Sequence, residues 1–355
     1  MQILILALSG IGDALMFTPA AKLLREKFPN AKIDALVMFT GVKNIYDRTG
    51  LFDEVIHFEF MAEGALKSLK FVLGKRGKYT HSISVYPSNR KEYNGIQWLF
   101  GAKKRGQVEY LRADTSNLGW LNNVRIKEDD SLHNVEENVR LVKEMFSLSE
   151  APLYPLVFSL NDEDKAFADG FCNTSLKQGV TKIGFHPGCA TLKNHINRRW
   201  EPEKFAALGK MLKEKNGFEL ILFGGPEEKE LRENIKKLAG EGVFHEPQSK
   251  NLSQSAALIK KCDLFITNDS SLMHVSSAMG VKVMALIGPT NVNYIHPWKT
   301  EHKIVSLNLE CAPCFFYSPK SLECKREDIK FKCIRELSVD MVYREAMEFI
   351  RFPAV

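Results

Sequence analysis

The chain has 355 residues, 45% hydrophobic and 26% charged, the balance of a globular protein and not of a disordered or fibrous one. That length makes two domains of similar size the expectation. A net charge of +6 does not by itself signal nucleic-acid binding, and it is compatible with an acidic substrate or an anionic membrane surface.

Residues 1–8 are apolar but lack a basic start, and Ser9, Gly10 and Gly12 break the run. They predict a first strand, not a secretory signal. No apolar run approaches the roughly 20 residues a membrane-spanning helix needs, so a cytoplasmic protein is expected. Ser9-Gly-Ile-Gly-Asp13 leads into an amphipathic helix to about Lys27, stopped by Phe28-Pro-Asn30. Lys32–Met38, Val55–Phe58 and Ser82–Tyr86 predict strands, with helix over Met61–Leu73, and His133–Phe146 predicts a helix closing this half. A polar, helical stretch from about Asn161 to Gln178 precedes a second alternating series. Strands are predicted at Lys182–His186, Glu219–Phe223, Leu264–Thr267 and Val281–Ile287. Helices are predicted at Pro202–Lys213, Glu227–Leu238, Ser253–Lys261, Leu272–Met279 and Val339–Phe349. Strands alternating with helices predict parallel, doubly wound sheets. The expectation is therefore an α/β protein of two Rossmann-like domains facing across a cleft, residues 1–165 and 166–338. Residues 339–355 form a last helix that could cross back to the first domain.

Among the loops, Gly10-Ile-Gly12 begins like a dinucleotide fingerprint, but the third glycine should fall at Leu15, which makes NAD the weakest cofactor candidate. Asp13 sits in the first turn of a helix. It either complements the helix dipole or serves as a general base. Ile183-Gly-Phe-His-Pro-Gly-Cys189 runs from a strand into a tight loop and on to Arg198-Arg-Trp200, and a guanidinium there is shaped to meet a diphosphate. The acids after Phe223-Gly-Gly-Pro226 either bond ribose hydroxyls or stabilise a helix start. Asn268-Asp-Ser-Ser-Leu-Met-His274 reads as a strand, a turn and a helix whose start carries Asp269 and Ser270, the residue types of a helix cap and of a phosphate-binding helix N-terminus.

Of seven cysteines, Cys311, Cys314, Cys324 and Cys333 cluster near the end. The first pair has metal-site spacing, but the second is too wide for a zinc ribbon. Thiols are the expected state, with a structural metal or oxidative pairing left open. Basic clusters at Lys75–Lys78, Arg90-Lys91 and Lys103-Lys104-Arg105 are solvated loop ends or, for some of them, docking points for an anionic acceptor.

Taken in order, Gly12-Asp13-Ala-Leu-Met-Phe-Thr-Pro-Ala20, Arg25-Glu-Lys-Phe-Pro-Asn-Ala31, Arg198-Arg-Trp200, Phe223-Gly-Gly-Pro226, Asn268–His274 and Gly288-Pro-Thr290 resemble glycosyltransferase family 9, the ADP-heptose:lipopolysaccharide heptosyltransferases. The resemblance implies a GT-B fold, an inverting and metal-independent transfer, and no cofactor beyond the ADP-heptose donor. It implies that Asp13 is the general base. On the donor side it implies Gly188, Cys189, Arg198, Glu228 (with Glu227 left open), Asp269, Ser270, Ser271, Leu272 and His274. Cys189 stands where hydroxyl residues are often found, and Ser271 where the family has glycine. Acceptor contacts are expected from Gly12, Arg90, Lys103, Lys104 and Arg105. The implied partners are the nucleotide sugar and an anionic lipopolysaccharide precursor at the inner-membrane surface, without nucleic acid. Peripheral association with that membrane is one option, and no oligomeric state is specified. Competing expectations are a GT-B transferase or epimerase using another nucleotide sugar, and a nucleotide-binding protein without catalysis.

Overall fold

The computed structural model describes residues 1–88, 90–316 and 321–351. The chain divides into two compact units between Ser159 and Leu160. This division falls ahead of the helix Asp162–Ser175 and not inside it, because that helix packs against Leu252–Ile259 of the second unit.

The first unit holds a six-stranded parallel sheet: β1 (Gln2–Ala7), β2 (Lys32–Val37), β3 (Glu54–His57), β4 (His81–Ser84), β5 (Lys104–Glu109) and β6 (Val124–Lys127), in the order β3-β2-β1-β4-β5-β6. β1 is buried from Ile3 onward, as a central strand covered on both faces requires. The helix Ile11–Lys27 follows it and packs on Asn134–Phe146. The expected strands and helices of this half are present. β5 and β6 come in addition, and β5 contains Lys104 and Arg105 of the supposed loop cluster. Its Lys-Arg-Gly-Gln-Val-Glu sequence hides the strand signal. Gly106 explains how it still packs: a Cβ there would lie 3.1 Å from Met145 Sδ, so the missing side chain lets the covering helix close on the sheet.

The second unit repeats the plan with β7 (Lys182–His186), β8 (Glu219–Leu222), β9 (Phe244–His245), β10 (Leu264–Asn268), β11 (Val283–Leu286) and β12 (His302–Val305), in the order β12-β11-β10-β7-β8-β9. The helix Val339–Arg351 packs on Pro202–Asn216 and on β12 within this unit. Strand order reverses between β1 and β4 in one sheet and between β7 and β10 in the other. Loops beyond the carboxyl ends of strands diverge at such a reversal and leave a crevice there, so each unit has one place built to receive a ligand. No helix among the described residues is long and apolar enough to cross a membrane.

Candidate functional site

In the first unit the reversal is flanked by the loop after β1 and by the residues leading from β4 to Arg90. Gly10 begins the helix with no side-chain cap, and Gly12 and Asp13 lie in its first turn. Tyr46 donates to Ala14 O at 2.9 Å and braces that turn. Burial, then the charge of Asp13, raises the Tyr46 hydroxyl above its ordinary value. Arg90 lies over the Tyr93 ring, 5.6 Å from its centroid. The Tyr93 hydroxyl is raised by burial, against Arg90 and with Glu92 and Asp13. Asp13 and Arg90 therefore act on one tyrosine from the two sides of the reversal.

Lys103, Lys104 and Arg105 do not join them. β5 pairs Lys104 with His81, and β4 pairs His81 with Ile3, so the cluster is level with the start of β1, at the edge of the sheet opposite Asp13. Arg105 is also committed to structure, donating to Leu121 O at 3.1 Å and Ala102 O at 2.8 Å, and Lys104 donates to Met145 O at 3.2 Å. Burial lowers the Arg105 guanidinium below its usual value. The structure thus does not bring these three expected acceptor contacts together with Asp13: they belong to the start of a strand, and Asp13 lies beyond the end of one.

In the second unit the loops after β7, β8 and β10 meet around His186. Its Nδ1 lies 2.8 Å from Ser270 Oγ and its Nε2 lies 3.1 Å from Glu228 Oε2, all three residues being buried. Glu228 Oε2 also accepts from Gly225 N at 3.0 Å, and Arg199 Nη2 stands 3.5 Å from Glu228 Oε1. Burial would raise this carboxyl. The His186 bond and charge, the Gly225 amide and Arg199 outweigh it and hold Glu228 below the ordinary carboxylate value, hence ionised. Glu228 rests directly on Gly188, where a Cβ would be only 1.6 Å from Oε1. Glu228, rather than Glu227, is thus the acid turned into the crevice.

On the other side, Asp269 is bonded by the Arg198 guanidinium and by Thr290 Oγ1, the latter at 2.7 Å. Asn268 ties the strand ends together, accepting from Trp200 N at 3.0 Å and donating to Pro187 O at 2.7 Å. The helix Ser271–Ala278 starts here with Ser270 as its cap position, yet the Ser270 side chain makes no capping bond. Asp269 and Ser270 are of the residue types expected either to cap this helix or to face a ligand. Asp269 bonds Arg198 and Thr290, and Ser270 bonds His186 and Thr267 Oγ1, the last at 3.1 Å. Ser271 is half-buried, while Leu272 and His274 are buried in the helix behind it. His274 Nδ1 has no hydrogen-bond partner among the described residues, and burial, with His296, pushes the imidazole down to about 4 against the opposing charge of Asp269. His195 is also pushed to about 4, by burial and then by Arg198.

Cys189 is buried, its thiol directed to Ala190 O and His195 O at 3.2 Å each and raised by burial. It shapes the loop and presents no hydroxyl-like donor to the crevice. All seven cysteines are free thiols. Among the described residues no three His, Cys, Asp or Glu side chains form a group that could hold a metal ion.

The donor-side residues expected from sequence, Cys189 apart, therefore come together at the β7/β10 reversal. His186, Arg199, Asn268 and Thr290 had no assigned role. All four lie within the quoted motifs, but their work lies in bonds between loops far apart in sequence, which spacing does not reveal. The arrangement offers an ionised carboxylate to hydroxyl donors, and two arginines beside a helix start to an anion.

Comparison with known proteins gives a consistent picture. Residues 97–325 match the model of "Glycosyltransferase family 9 (heptosyltransferase)". A lipooligosaccharide heptosyltransferase 2 of Campylobacter jejuni is 27% identical over 97% of this chain and 98% of its own length. The lipopolysaccharide heptosyltransferase 2 of Escherichia coli K12 is 26% identical over 86% of this chain and 88% of its own. The solved structure of the E. coli ADP-heptose lipopolysaccharide heptosyltransferase II superimposes with a TM-score of 0.73 at 21% identity, covering 99% of both chains.

Proposed function

Because the chain belongs to glycosyltransferase family 9, we propose that it transfers heptose from ADP-heptose to the inner core of a lipopolysaccharide precursor, with inversion at the anomeric carbon. Its two six-stranded parallel sheets are those of the GT-B fold. The second unit takes the donor. Glu228 accepts hydrogen bonds from the ribose hydroxyls, a role that suits a carboxyl held ionised. The diphosphate sits against the helix start at Ser271, where helix amides and the Arg198 and Arg199 guanidinium groups meet its charge.

In the first unit Asp13 takes the proton of the acceptor hydroxyl as that oxygen attacks the anomeric carbon. The bond from that carbon to the diphosphate oxygen breaks, its electron pair leaves with ADP, and the new glycosidic bond forms on the opposite face. Charge on the leaving group is met by the helix amides and guanidinium groups, so the step calls on no metal. Gly12 beside Asp13, and Arg90 across the reversal from it, are the acceptor contacts retained from the expected set. A cytoplasmic site of action at the inner face of the inner membrane follows from where such a precursor is anchored.

The observation that carries this reading is the convergence of Gly188, Arg198, Glu228 and Asp269 on one crevice in a chain of this family. The test is transfer from ADP-heptose to an inner-core acceptor by wild type and Asp13→Ala, with ADP affinity measured alongside. Asp13→Ala should bind ADP as wild type does and lose about 10²–10⁴-fold in turnover, the usual worth of a positioned base. Undiminished turnover would remove Asp13 as the base. Transfer from UDP- or GDP-sugars in preference to ADP-heptose would replace the donor.

A further inference from the structure

The helix Phe60–Leu73 wears its apolar side outward. Gly64 (φ 76°) breaks it, and the regular part that follows packs inward through Phe71, stacked on Phe58 with centroids 4.0 Å apart, and through buried Val72. Leu66, Leu69 and Leu73 recur at three- and four-residue spacing and are 85%, 43% and 45% exposed. A stripe of this periodicity ordinarily faces a core. Here it faces out, and Met61 ahead of the break is 84% exposed.

The rim of the stripe is basic. Lys67 pairs with Glu63 at 3.0 Å, but Lys70, Lys75 and Arg76 form no ion pair among the described residues. Lys75 lies over the Phe71 ring, and Arg76 lies over Trp98, itself 45% exposed, while donating to Leu99 O at 2.7 Å. Leucines flanked by cations on apolar stems, with a tryptophan at the border, are the make-up of a surface that enters the headgroup region of an anionic bilayer.

We propose that this face docks the protein on an anionic lipid membrane, the leucines entering the headgroup boundary and Lys70, Lys75 and Arg76 meeting lipid phosphates. A second copy of the chain is a poorer occupant, because two-fold pairing of the face would set its unpaired cations against their own copies. The docking deepens the proposed activity and rests on it, since an enzyme whose acceptor is lipid-anchored gains encounters by staying on the acceptor's surface.

The experiment is co-sedimentation of the full chain with vesicles of phosphatidylcholine alone, or of phosphatidylcholine and phosphatidylglycerol at about three to one. Leu66→Ser/Leu69→Ser/Leu73→Ser and Lys70→Gln/Lys75→Gln/Arg76→Gln are compared with wild type. Wild type should bind the anionic vesicles, weaken with salt, and bind phosphatidylcholine far less. Each triple variant should bind the anionic vesicles at least about tenfold less. ADP affinity and transfer to a delipidated core oligosaccharide should be unchanged in both, while transfer to acceptor embedded in vesicles falls. Equal binding by wild type and variants, or none by wild type, overturns the docking and leaves the proposed activity standing. Wild type that ignores vesicles but self-associates, in a way the leucine variant abolishes, overturns it in favour of an interface between copies. Vesicle binding without transfer to any acceptor sinks the activity and leaves the docking.

Discussion

Gly188→Ala is a one-methyl test of the donor wall. The added Cβ would sit 1.6 Å from Glu228 Oε1 and 2.3 Å from its Cδ, so the carboxylate must retreat by about 1.5 Å before contact becomes tolerable. Retreat on that scale breaks the 3.1 Å bond to His186 and the 3.0 Å bond from Gly225 N, both of which hold a buried charge. Overpacking costs about 1–3 kcal/mol, and a hydrogen bond to a charged group about 1.5–3 kcal/mol. A net loss of about 2–4 kcal/mol is therefore expected, which for a unit of this size is a fall in Tm of very roughly 4–16 °C. If Glu228 holds the ribose, ADP affinity measured by calorimetry should fall about ten- to a hundredfold with it. Gly170→Ala is the control. Nothing lies within 4 Å of its Cβ on the helix Asp162–Ser175, and it should be neutral or gain up to about 1 kcal/mol. Wild-type ADP affinity and Tm in Gly188→Ala would refute both the packing and the role given to Glu228.

Two further outcomes follow from the same site. A histidine held at about 4 in the fold, against 6.5 when exposed, takes up its proton first in the unfolded chain, so its contribution is intact above pH 6.5 and is lost as pH falls toward 4. His274 should thus account for about 2 kcal/mol of the stability lost between pH 7.5 and 5, and denaturant unfolding of His274→Gln should show that much less pH dependence; parallel pH profiles would refute the buried, neutral imidazole. Chelation by EDTA should leave transfer from ADP-heptose unchanged if, as proposed, arginines and helix amides meet the charge on leaving ADP, and a loss restored by a divalent cation would overturn that part of the proposal.

Much of the fold was legible because its central strands are apolar on both faces and bounded by glycine turns. Gln2–Ala7 and Leu264–Asn268 stand out in any reading for that reason. β5 was not legible. Its lysine, arginine and glutamate look like a loop, and the evidence that it is a strand lies in Gly106 and in the helix that closes over it. The placement bears on function, since a strand start that reads as a loop leaves open the edge of the sheet on which its cations lie. Likewise the exposed stripe of Leu66, Leu69 and Leu73 reads in sequence as ordinary core periodicity. Only the placement of Phe71 and Val72 shows which side is inside.

The loop from Asn268 to Ser271 shows why residue types alone leave a side chain's role open. Asp and Ser before a helix are the favoured caps, and capping and anion binding look in sequence like one arrangement. They compete, because a side chain bonded to the first amides occupies the groups that an anion would use. Here Asp269 bonds Arg198 and Thr290, and Ser270 bonds His186 without capping the helix itself. A buried Arg–Asp pair is an uncertain source of stability, since desolvation offsets much of the attraction. What it supplies in this fold is position: the Asp269 carboxylate and the Arg198 guanidinium are fixed beside the helix start. His186 does the same for the opposite wall, coupling Ser270 to Glu228 through one ring. The Glu228 carboxylate and the start of the helix Ser271–Ala278 are thereby set by one buried network, and a substitution on either wall is felt by both.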